Sequence, residues 1–199
     1  MIVLITGPSG AGKSSFIAEL MAADQRLAFS VSTTTRPMRS GEVDGRDYDF
    51  VDEPAFDRLV AESAFVEWAQ VHDNRYGTRR SQLEEMTAAG KIPVLDIDVQ
   101  GGVQVLDQFG SELVSVFLFP PSWEELDRRL TSRGTDEAEV IATRLRNARH
   151  EVSYAPRYRY WIVNDDLAAA VARMRAVIAA EECRSDILGT PPLESDTSD

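Results

Sequence analysis

Runs of apolar residues alternate along the chain with polar, turn-rich segments. Four of the runs have the length and hydrophobicity of a buried strand, at residues 2–6, 92–98, 113–119 and 160–163, and a shorter run covers 28–31. Strands of this type occur in parallel sheets that are covered on both faces. Because segments with helical spacing follow them, the pattern predicts an α/β fold with a three-layer core around a parallel sheet.

Apolar positions that recur at helical spacing predict the helices. Ser122 and Glu125 match a capping box at the start of one helix, and Pro54 suits the first turn of another. The predicted helices cover residues 13–23, 54–62, 79–89, 100–108, 122–132, 135–154 and 167–182. Most of them lie between predicted strands, as the crossover connections of a parallel sheet require.

The segment GPSGAGKS, residues 7–14, follows the first strand directly and fits the P-loop pattern G-x-x-x-x-G-K-[ST] at every fixed position. Its glycines let successive backbone N–H groups face one anion, and the helix that starts near Lys13 adds the positive end of its dipole. Lys13 would reach the outer phosphates of a nucleoside triphosphate, and the Ser14 hydroxyl would ligate Mg²⁺. The alternative interpretation is a glycine-rich turn that only joins a strand to a helix.

An insert of short strands and helices, residues 32–87, interrupts the pattern of core elements. It begins with a polar stretch that carries Arg36 and Arg39, and Pro37 favours an extended backbone at the residue before it. A long polar insert in a compact domain is usually either functional or disordered. The alternating aromatic residues at 48–50 favour an ordered insert that presents the two arginines from a loop.

Two aspartates, Asp96 and Asp98, stand at the end of the predicted strand 92–98. In P-loop proteins, a carboxylate at the end of a strand beside the loop commonly holds Mg²⁺ or its water shell. A carboxylate in this place also suits the N-cap of the following helix. The residues leave both interpretations open for each aspartate.

Composition and charge limit the classes of function. The net charge of −12 argues against nucleic acid or an anionic membrane as a partner. The single cysteine, Cys183, excludes an internal disulfide and suits a reducing compartment. Because no signal peptide precedes the P-loop and no apolar run has membrane-spanning length, we expect a cytoplasmic protein without a membrane partner.

The length of 199 residues suits one domain of ordinary size. We place this domain at residues 1–183. Residues 184–199 are acidic, contain two prolines and have few apolar side chains, so they predict a disordered acidic tail.

With these segments located, the chain resembles the guanylate kinases, the family that phosphorylates GMP to GDP with ATP. The resemblance extends over about residues 1–182 and is specific, because the substrate-side motifs are independent of the P-loop. These motifs are STTTRPMR at 32–39, GRDYDF at 45–50, FVEW at 65–68, YGT at 76–78, LDIDVQG at 95–101, RGTD at 133–136 with RL at 144–145, and IVNDDL at 162–167.

The resemblance implies a division of the domain and a reaction. The core would comprise residues 1–31, 88–121 and 155–183, with a GMP-binding insert at 32–87 and a helical lid at 122–154. The implied activity is that of an ATP:GMP phosphotransferase with Mg²⁺ as its cofactor and ATP and GMP as its small-molecule partners. dGMP is a further candidate acceptor, and the choice between a monomer and a homo-oligomer stays open.

The resemblance also implies roles for the residues that match its motifs. ATP binding is implied for Gly7, Pro8, Ser9, Gly10, Ala11, Gly12, Lys13, Ser14, Ser15, Asn164 and Asp165. GMP binding is implied for Ser32, Arg36, Arg39, Tyr48, Glu67, Tyr76, Gly77, Thr78 and Asp98. Glu67 and Thr78 would read the guanine base, with Asp98 as a helper. The implied catalytic residues are Lys13, Arg39, Arg133 and Arg144, and the implied Mg²⁺ ligand is Ser14, with Asp96 as a further candidate.

Two other functions fit parts of the chain. A guanylate-kinase-like interaction module shares the fold but has a degraded P-loop and lid, whereas Lys13, Ser14, Arg133 and Arg144 are all present here. A sugar-phosphate kinase of related fold, such as ribose 1,5-bisphosphate phosphokinase, would not need residues that read guanine. Both alternatives are therefore disfavoured by the motifs.

Overall fold

A computed structural model describes residues 1–71, 73–131 and 138–188 of the chain. The strands are β1 (Ile2–Thr6), β2 (Leu27–Phe29), β3 (Thr33–Thr34), β4 (Asp49–Phe50), β5 (Phe65–Val71), β6 (Asn74–Arg79), β7 (Ile92–Asp96), β8 (Leu113–Phe119) and β9 (Tyr160–Val163). The helices are α1 (Lys13–Ala23), α2 (Glu53–Ala61), α3 (Arg80–Ala88), α4 (Val99–Phe109), α5 (Trp123–Thr131), α6 (Ala138–Val152), α7 (Leu167–Glu182) and α8 (Ser185–Leu188). Short 3₁₀ helices cover Gly110–Glu112 and Ala155–Arg157.

Strand β1 is the central strand of a five-stranded parallel sheet with the order β2-β7-β1-β8-β9. Val3 of β1 pairs with Val94 of β7 and with Val114 of β8. All five residues of β1 are buried, as expected for a strand with neighbours on both sides and helices on both faces. The predicted α/β fold with a parallel sheet is confirmed.

The two faces of this sheet belong to separate hydrophobic clusters, because side chains alternate between the faces along a strand. Val3 packs in a cluster with Phe16 of α1 and Met174 of α7. Leu4 packs in the other cluster with Leu95 of β7 and with residues of α4 and β8. The result is a three-layer core that fixes the end of β1, where the P-loop begins.

A second sheet, with the order β4-β3-β6-β5, forms a separate small subdomain. It is mixed, since β3 runs parallel to β4 and antiparallel to β6. The buried ring of Phe56 on α2 lies 4.7 Å from the ring of Phe65 on β5. The guanidinium of Arg75 lies 4.5 Å from the centroid of the same Phe56 ring. This small core supports β5 and β6, the strands that carry Glu67 and Thr78.

Strand β7 ends at Asp96, two residues before the end of the predicted strand 92–98. The reason is a helix cap: the Asp98 carboxylate accepts a hydrogen bond from the Gly101 N–H at 2.9 Å. Asp98 therefore starts α4 as its N-cap residue. Of the two interpretations of Asp98, the structure favours the cap, and it leaves Asp96 half-buried as the last residue of the strand.

Helix α8 lies within the segment predicted as a disordered tail, 184–199. The sequence did not predict this short helix, because it depends on contacts with earlier parts of the chain. Arg184, the residue before α8, donates to the carbonyl of Ser111 at 3.1 Å and to the Glu181 carboxylate at 2.8 Å. Residues 189–199 lie outside the described residues.

The two helices of the predicted lid pack against each other. Leu126 and Leu130 of α5 form a buried cluster with Ala148 of α6. Residues 132–137, which join these helices and include Arg133, lie outside the described residues. Within the part of the chain that is described, no helix is both long and apolar enough to cross a membrane.

Candidate active site

The P-loop wraps around the start of α1 in a form that depends on its glycines. Gly10 and Gly12 have φ angles of +91° and +90°, a region that side chains other than glycine rarely adopt. A Cβ atom at Gly7 would overlap the carbonyl oxygen of Leu118 on the neighbouring strand β8. The loop is therefore packed tightly onto the sheet.

The side chains of Lys13, Asn164 and Arg129 stabilise the loop by donating to its backbone carbonyls. The Lys13 ammonium donates to the carbonyl of Gly7 at 2.7 Å. The buried Asn164 side chain donates to the carbonyl of Ala11 at 2.9 Å, and the Arg129 guanidinium approaches the same oxygen at 3.4 Å. Asn164, which the family resemblance connects with ATP, thus stabilises the loop through a hydrogen bond to its backbone.

Arg129 is a site residue that the sequence analysis did not single out. It lies on α5, where Glu125 accepts a hydrogen bond from its Nε at 2.7 Å. Its other guanidinium nitrogens reach the carbonyls of Ala11 and Asn164. The signal available in the sequence was its spacing from Glu125, since residues four apart face each other on a helix.

A cleft of about 300 Å³ lies between the P-loop, the end of β7 and the small sheet. It brings together predicted residues from distant parts of the chain. Its lining includes Gly7, Ser9, Lys13, Ser32, Tyr48, Glu67, Tyr76, Asp96, Asp98 and Glu151. The cleft therefore brings the P-loop and its lysine together with several carboxyl and hydroxyl groups.

Glu67 is the buried carboxylate of this cleft, with a relative exposure of 4%. The register of the small sheet pairs it with Thr78, whose hydroxyl donates to Glu67 Oε1 at 2.6 Å. The other oxygen, Oε2, lies against Gly101 of α4, where a Cβ atom would overlap it. Glu67 is therefore held by one hydrogen bond and by close packing against a glycine.

Burial raises the pKa of Glu67 to about 7, although the hydrogen bond from Thr78 opposes the shift. The negative charge of Asp98 acts in the same direction as burial. At neutral pH the site thus holds a carboxyl group that is close to half-ionised. A ligand that donates hydrogen bonds to it would favour the ionised form.

Two phenols that line the cleft pack against each other, and an arginine packs against one of them. The rings of Tyr48 and Tyr76 lie edge to face, with 5.9 Å between their centroids. The buried Arg36 guanidinium lies 5.1 Å from the Tyr48 ring and donates to the Glu42 carboxylate at 2.7 Å. Burial raises the pKa of the Tyr48 phenol, so it stays a hydrogen-bond donor at neutral pH.

Other residues predicted for the site lie outside this group. Arg39 is exposed on the loop after β3, and its backbone N–H donates to Glu42. Arg144 is half-buried on α6. Gly77 packs edge-on against the Phe65 ring, which leaves no room for a side chain and gives its presence a structural reason. Arg133 lies outside the described residues.

A second cavity of about 400 Å³ lies on the other side of the P-loop. Several residues predicted for ATP binding come together here, with Arg129 added. The lining residues are Gly10, Gly12, Ser15, Arg129, Asn164, Asp165 and Leu167. A nucleotide whose phosphates occupy the P-loop could extend its remaining part into this cavity.

The donor atoms near Lys13 fit a Mg²⁺ ion. The carboxylate of Asp96 lines the cleft, and burial raises its pKa while the charge of Lys13 lowers it. Ser14 offers an exposed hydroxyl at the start of α1. Oxygen donors of this kind, completed by phosphate and water, are the environment that Mg²⁺ prefers.

A glycine-rich phosphate loop between the central strand of a parallel sheet and a helix, faced by a small second sheet, defines a P-loop nucleotide-binding protein. The family model for guanylate kinase matches residues 1–181. The guanylate kinase of Syntrophotalea carbinolica is 48% identical over 185 residues, which cover 93% of this chain and 88% of that protein. The guanylate kinase of Zymomonas mobilis is 45% identical over 184 residues, covering 92% and 85%.

A solved structure agrees with this match. The crystal structure of guanylate kinase from Anaplasma phagocytophilum superposes with a TM-score of 0.77 at 34% identity, over 93% of this chain and 87% of that one. The chain belongs to the guanylate kinase family. The predicted family and activity, ATP:GMP phosphotransfer, are confirmed by these comparisons.

Proposed function

We propose that the cleft and the second cavity divide the two substrates of the guanylate kinase reaction between them. ATP places its phosphates on the P-loop and its nucleoside in the cavity beside Ser15 and Asp165. GMP occupies the cleft between Lys13 and Glu67. The observation that supports this most directly is the cleft itself, which is lined by both the phosphate loop and a buried carboxylate.

Guanine is the base that suits the Glu67 end of the cleft. Its N1–H and 2-amino groups are adjacent donors, and a carboxylate accepts from both, whereas adenine lacks this donor pair. Thr78 holds one carboxylate oxygen and Asp98 adds negative charge nearby. The pocket therefore rejects a base that cannot donate, because the buried acceptor would be left without partners.

The GMP phosphate is bound by groups that donate hydrogen bonds. Ser32, Tyr48 and Tyr76 supply hydroxyls that line the cleft. The Arg36 guanidinium packs against the Tyr48 ring and forms a salt bridge with the Glu42 carboxylate. Exposed Arg39 adds a permanent positive charge and bidentate contacts after the loop moves inward.

Phosphoryl transfer requires positioning and charge stabilisation more than proton transfer. The acceptor is a phosphate oxygen that is already anionic, so no strong general base is needed. Lys13 loses its bond to Gly7 and contacts the transferred group, and Arg129 joins Arg133 and Arg144 on the ATP phosphates. These cations balance the charge that spreads over the phosphoryl oxygens during transfer.

Ser14 and Asp96 are the residues that would hold Mg²⁺. When bound, the ion would neutralise part of the negative charge of the ATP phosphates. Asp96 is suited to this role because it stands at the end of β7 next to the P-loop strand, and because its carboxylate faces Lys13. Ser14 starts α1 with its hydroxyl exposed.

Closure of the insert, 32–87, and of the lid, 122–154, would exclude water from the transferred group. Arg39 supports this view, because it is exposed on its loop and reaches the phosphates only if the insert approaches the core. The exposed thiol of Cys183 suits a reducing compartment, and we propose the cytoplasm as the location.

A panel of acceptors tests the proposal. Formation of ADP from ATP and Mg²⁺ is measured with GMP, dGMP, AMP, CMP, UMP and ribose 1,5-bisphosphate offered separately. We expect turnover with GMP, with or without dGMP, and background with the others. Turnover with the sugar phosphate alone would be consistent with the proposed ATP site and would contradict the proposed guanine site. Binding of GMP without turnover would favour an interaction module.

The affinity for GMP is expected to fall as the pH falls below 7. The pKa of Glu67 is about 7, and the protonated carboxyl cannot accept from both guanine donors. GMP binding therefore releases a proton, and its dissociation constant should rise by about tenfold per pH unit below the pKa. Calorimetric titration between pH 5.5 and 8 measures this slope.

The Glu67→Gln variant provides the control for that titration, because the phosphate of GMP also titrates in this range. The GMP phosphate still titrates when the variant is used, whereas the glutamine side chain at position 67 does not titrate. We expect the dissociation constant of GMP to change less with pH for the variant than for the wild type. The difference between the two slopes is the contribution of Glu67. Identical slopes for the two proteins would contradict a role for Glu67 ionisation.

A further inference from the structure

Glu151 is a carboxylate of α6 that lines the cleft together with Ser9, Lys13 and Asp96. It is half-buried, and among the described residues its Oε2 atom is buried without a hydrogen-bond partner. Burial raises its pKa, whereas the positive charge of Lys13 and the Ser9 N–H lower it. None of the roles given above for ATP, GMP or the transferred group uses this side chain.

An acceptor buried without a partner destabilises the folded protein unless a ligand satisfies it. Neither substrate can do so with its phosphates, because these are themselves anions and acceptors. Once ATP binds, the Lys13 ammonium contacts the ATP phosphates. Its positive charge then acts on these phosphates as well as on Glu151. The remaining partner is a group that is positive or donates hydrogen bonds and that enters the cleft with ATP.

We propose that Glu151 holds the hydration shell of the Mg²⁺ ion that accompanies ATP, acting with Asp96 as a second carboxylate. This inference rests on the proposed ATP site and deepens it. Mg²⁺ keeps several of its water molecules when it binds to proteins, and these waters donate hydrogen bonds to carboxylates. Two carboxylates on different elements, β7 and α6, suit this arrangement, since each interacts with Lys13.

The location of Glu151 gives this contact a second consequence. Asp96 belongs to the core sheet, whereas Glu151 belongs to a helix of the lid. A hydrated ion between them links the lid to the bound nucleotide. Glu151 is accordingly a positioning residue, because it acts on the substrate through the ion and its waters.

The test compares nucleotide binding with and without the ion, in the absence of GMP. Calorimetry measures the dissociation constant of a non-hydrolysable ATP analogue for the wild type and for Glu151→Gln, in Mg²⁺ and in EDTA. With Mg²⁺ we expect the variant to bind about 10–100-fold more weakly, the usual effect of losing an outer-sphere partner of a metal. In EDTA we expect it to bind more tightly than the wild type, because a negative charge beside the phosphates has been removed.

This opposite response separates the inference from a structural role. Weaker binding in both conditions would show that Glu151 merely supports the P-loop and would overturn the inference. Equal or tighter binding with Mg²⁺ would show that the carboxylate only repels phosphate, and would also overturn it. Glu139→Gln, on the exposed part of α6, is the matched control and should leave both dissociation constants unchanged.

The same titrations distinguish failure of the inference from failure of the proposed function. If the wild type does not bind the analogue in either condition, the ATP site itself is contradicted, and the inference with it. If the wild type binds and Glu151→Gln lacks the opposite response, only the role of Glu151 is contradicted. Phosphorylation of GMP enters neither measurement.

Discussion

Replacement of Lys13 by alanine is expected to lower kcat by at least about 10³-fold, with a smaller effect on the KM for GMP. Lys13 is the one lysine of the cleft lining, and its positive charge acts on the carboxylate of Asp96 in the same cleft. In the proposed mechanism its ammonium follows the transferred phosphoryl group, so its largest contribution would arise in the transition state. Steady-state rates of ADP formation measure the loss.

Lys91 offers a matched control for this variant. It is the other lysine of the chain, it is exposed, and its ammonium donates to the carbonyl of Gln25 at the opposite end of β7. Lys91→Ala should leave kcat unchanged. A rate for Lys13→Ala within a few-fold of the wild type would contradict the proposed mechanism. Thermal unfolding of both variants shows whether loss of the bond to Gly7 affects folding.

Replacement of Glu67 by glutamine should lower kcat/KM for GMP by about 10³-fold and leave the KM for ATP close to its wild-type value. Glutamine keeps the shape of the side chain but presents only one acceptor, so one guanine donor would face an amide N–H group. Folding should be unaffected, because a neutral amide replaces a carboxyl that burial already keeps partly protonated. Initial rates at varied GMP and fixed ATP measure the change.

Two further variants define how the Glu67 effect arises. Glu84→Gln removes an exposed carboxylate from α3 and should not change the kinetics. Gly101→Ala leaves Glu67 in the chain but places a methyl group against its carboxylate, so it should weaken GMP binding without changing ATP binding. If GMP kinetics were unaffected by Glu67→Gln, guanine would have to be read elsewhere in the cleft.

The features that could be predicted from the sequence are those determined locally. The P-loop requires glycines, Lys13 and Ser14 at fixed spacing, and continuous apolar runs predicted every strand of the large sheet. The ends of elements were less certain, as β7 shows: whether the chain continues as a strand or turns into α4 depends on the hydrogen bond between Asp98 and Gly101.

The features that could not be predicted depend on contacts between distant segments. Arg129 and Glu151 each stand on a helix among other charged residues, and their positions are indistinguishable from a solvated face in the sequence alone. Only the packing of α5 and α6 beside the P-loop reveals their surroundings. The burial that shifts the pKa of Glu67 likewise requires α4 to pack against β5, which no local pattern specifies.

The small sheet is inserted between two adjacent strands of the core. Leu27 and Phe29 of β2 pair with Ile92 and Val94 of β7, so the chain leaves the core and returns to it through neighbouring strands. Because these two strands are parallel, the small sheet and α3 together form the crossover connection between them. In the proposed division of the substrates, acceptor recognition could therefore vary in evolution while the strand pairing of the nucleotide-binding core stays the same.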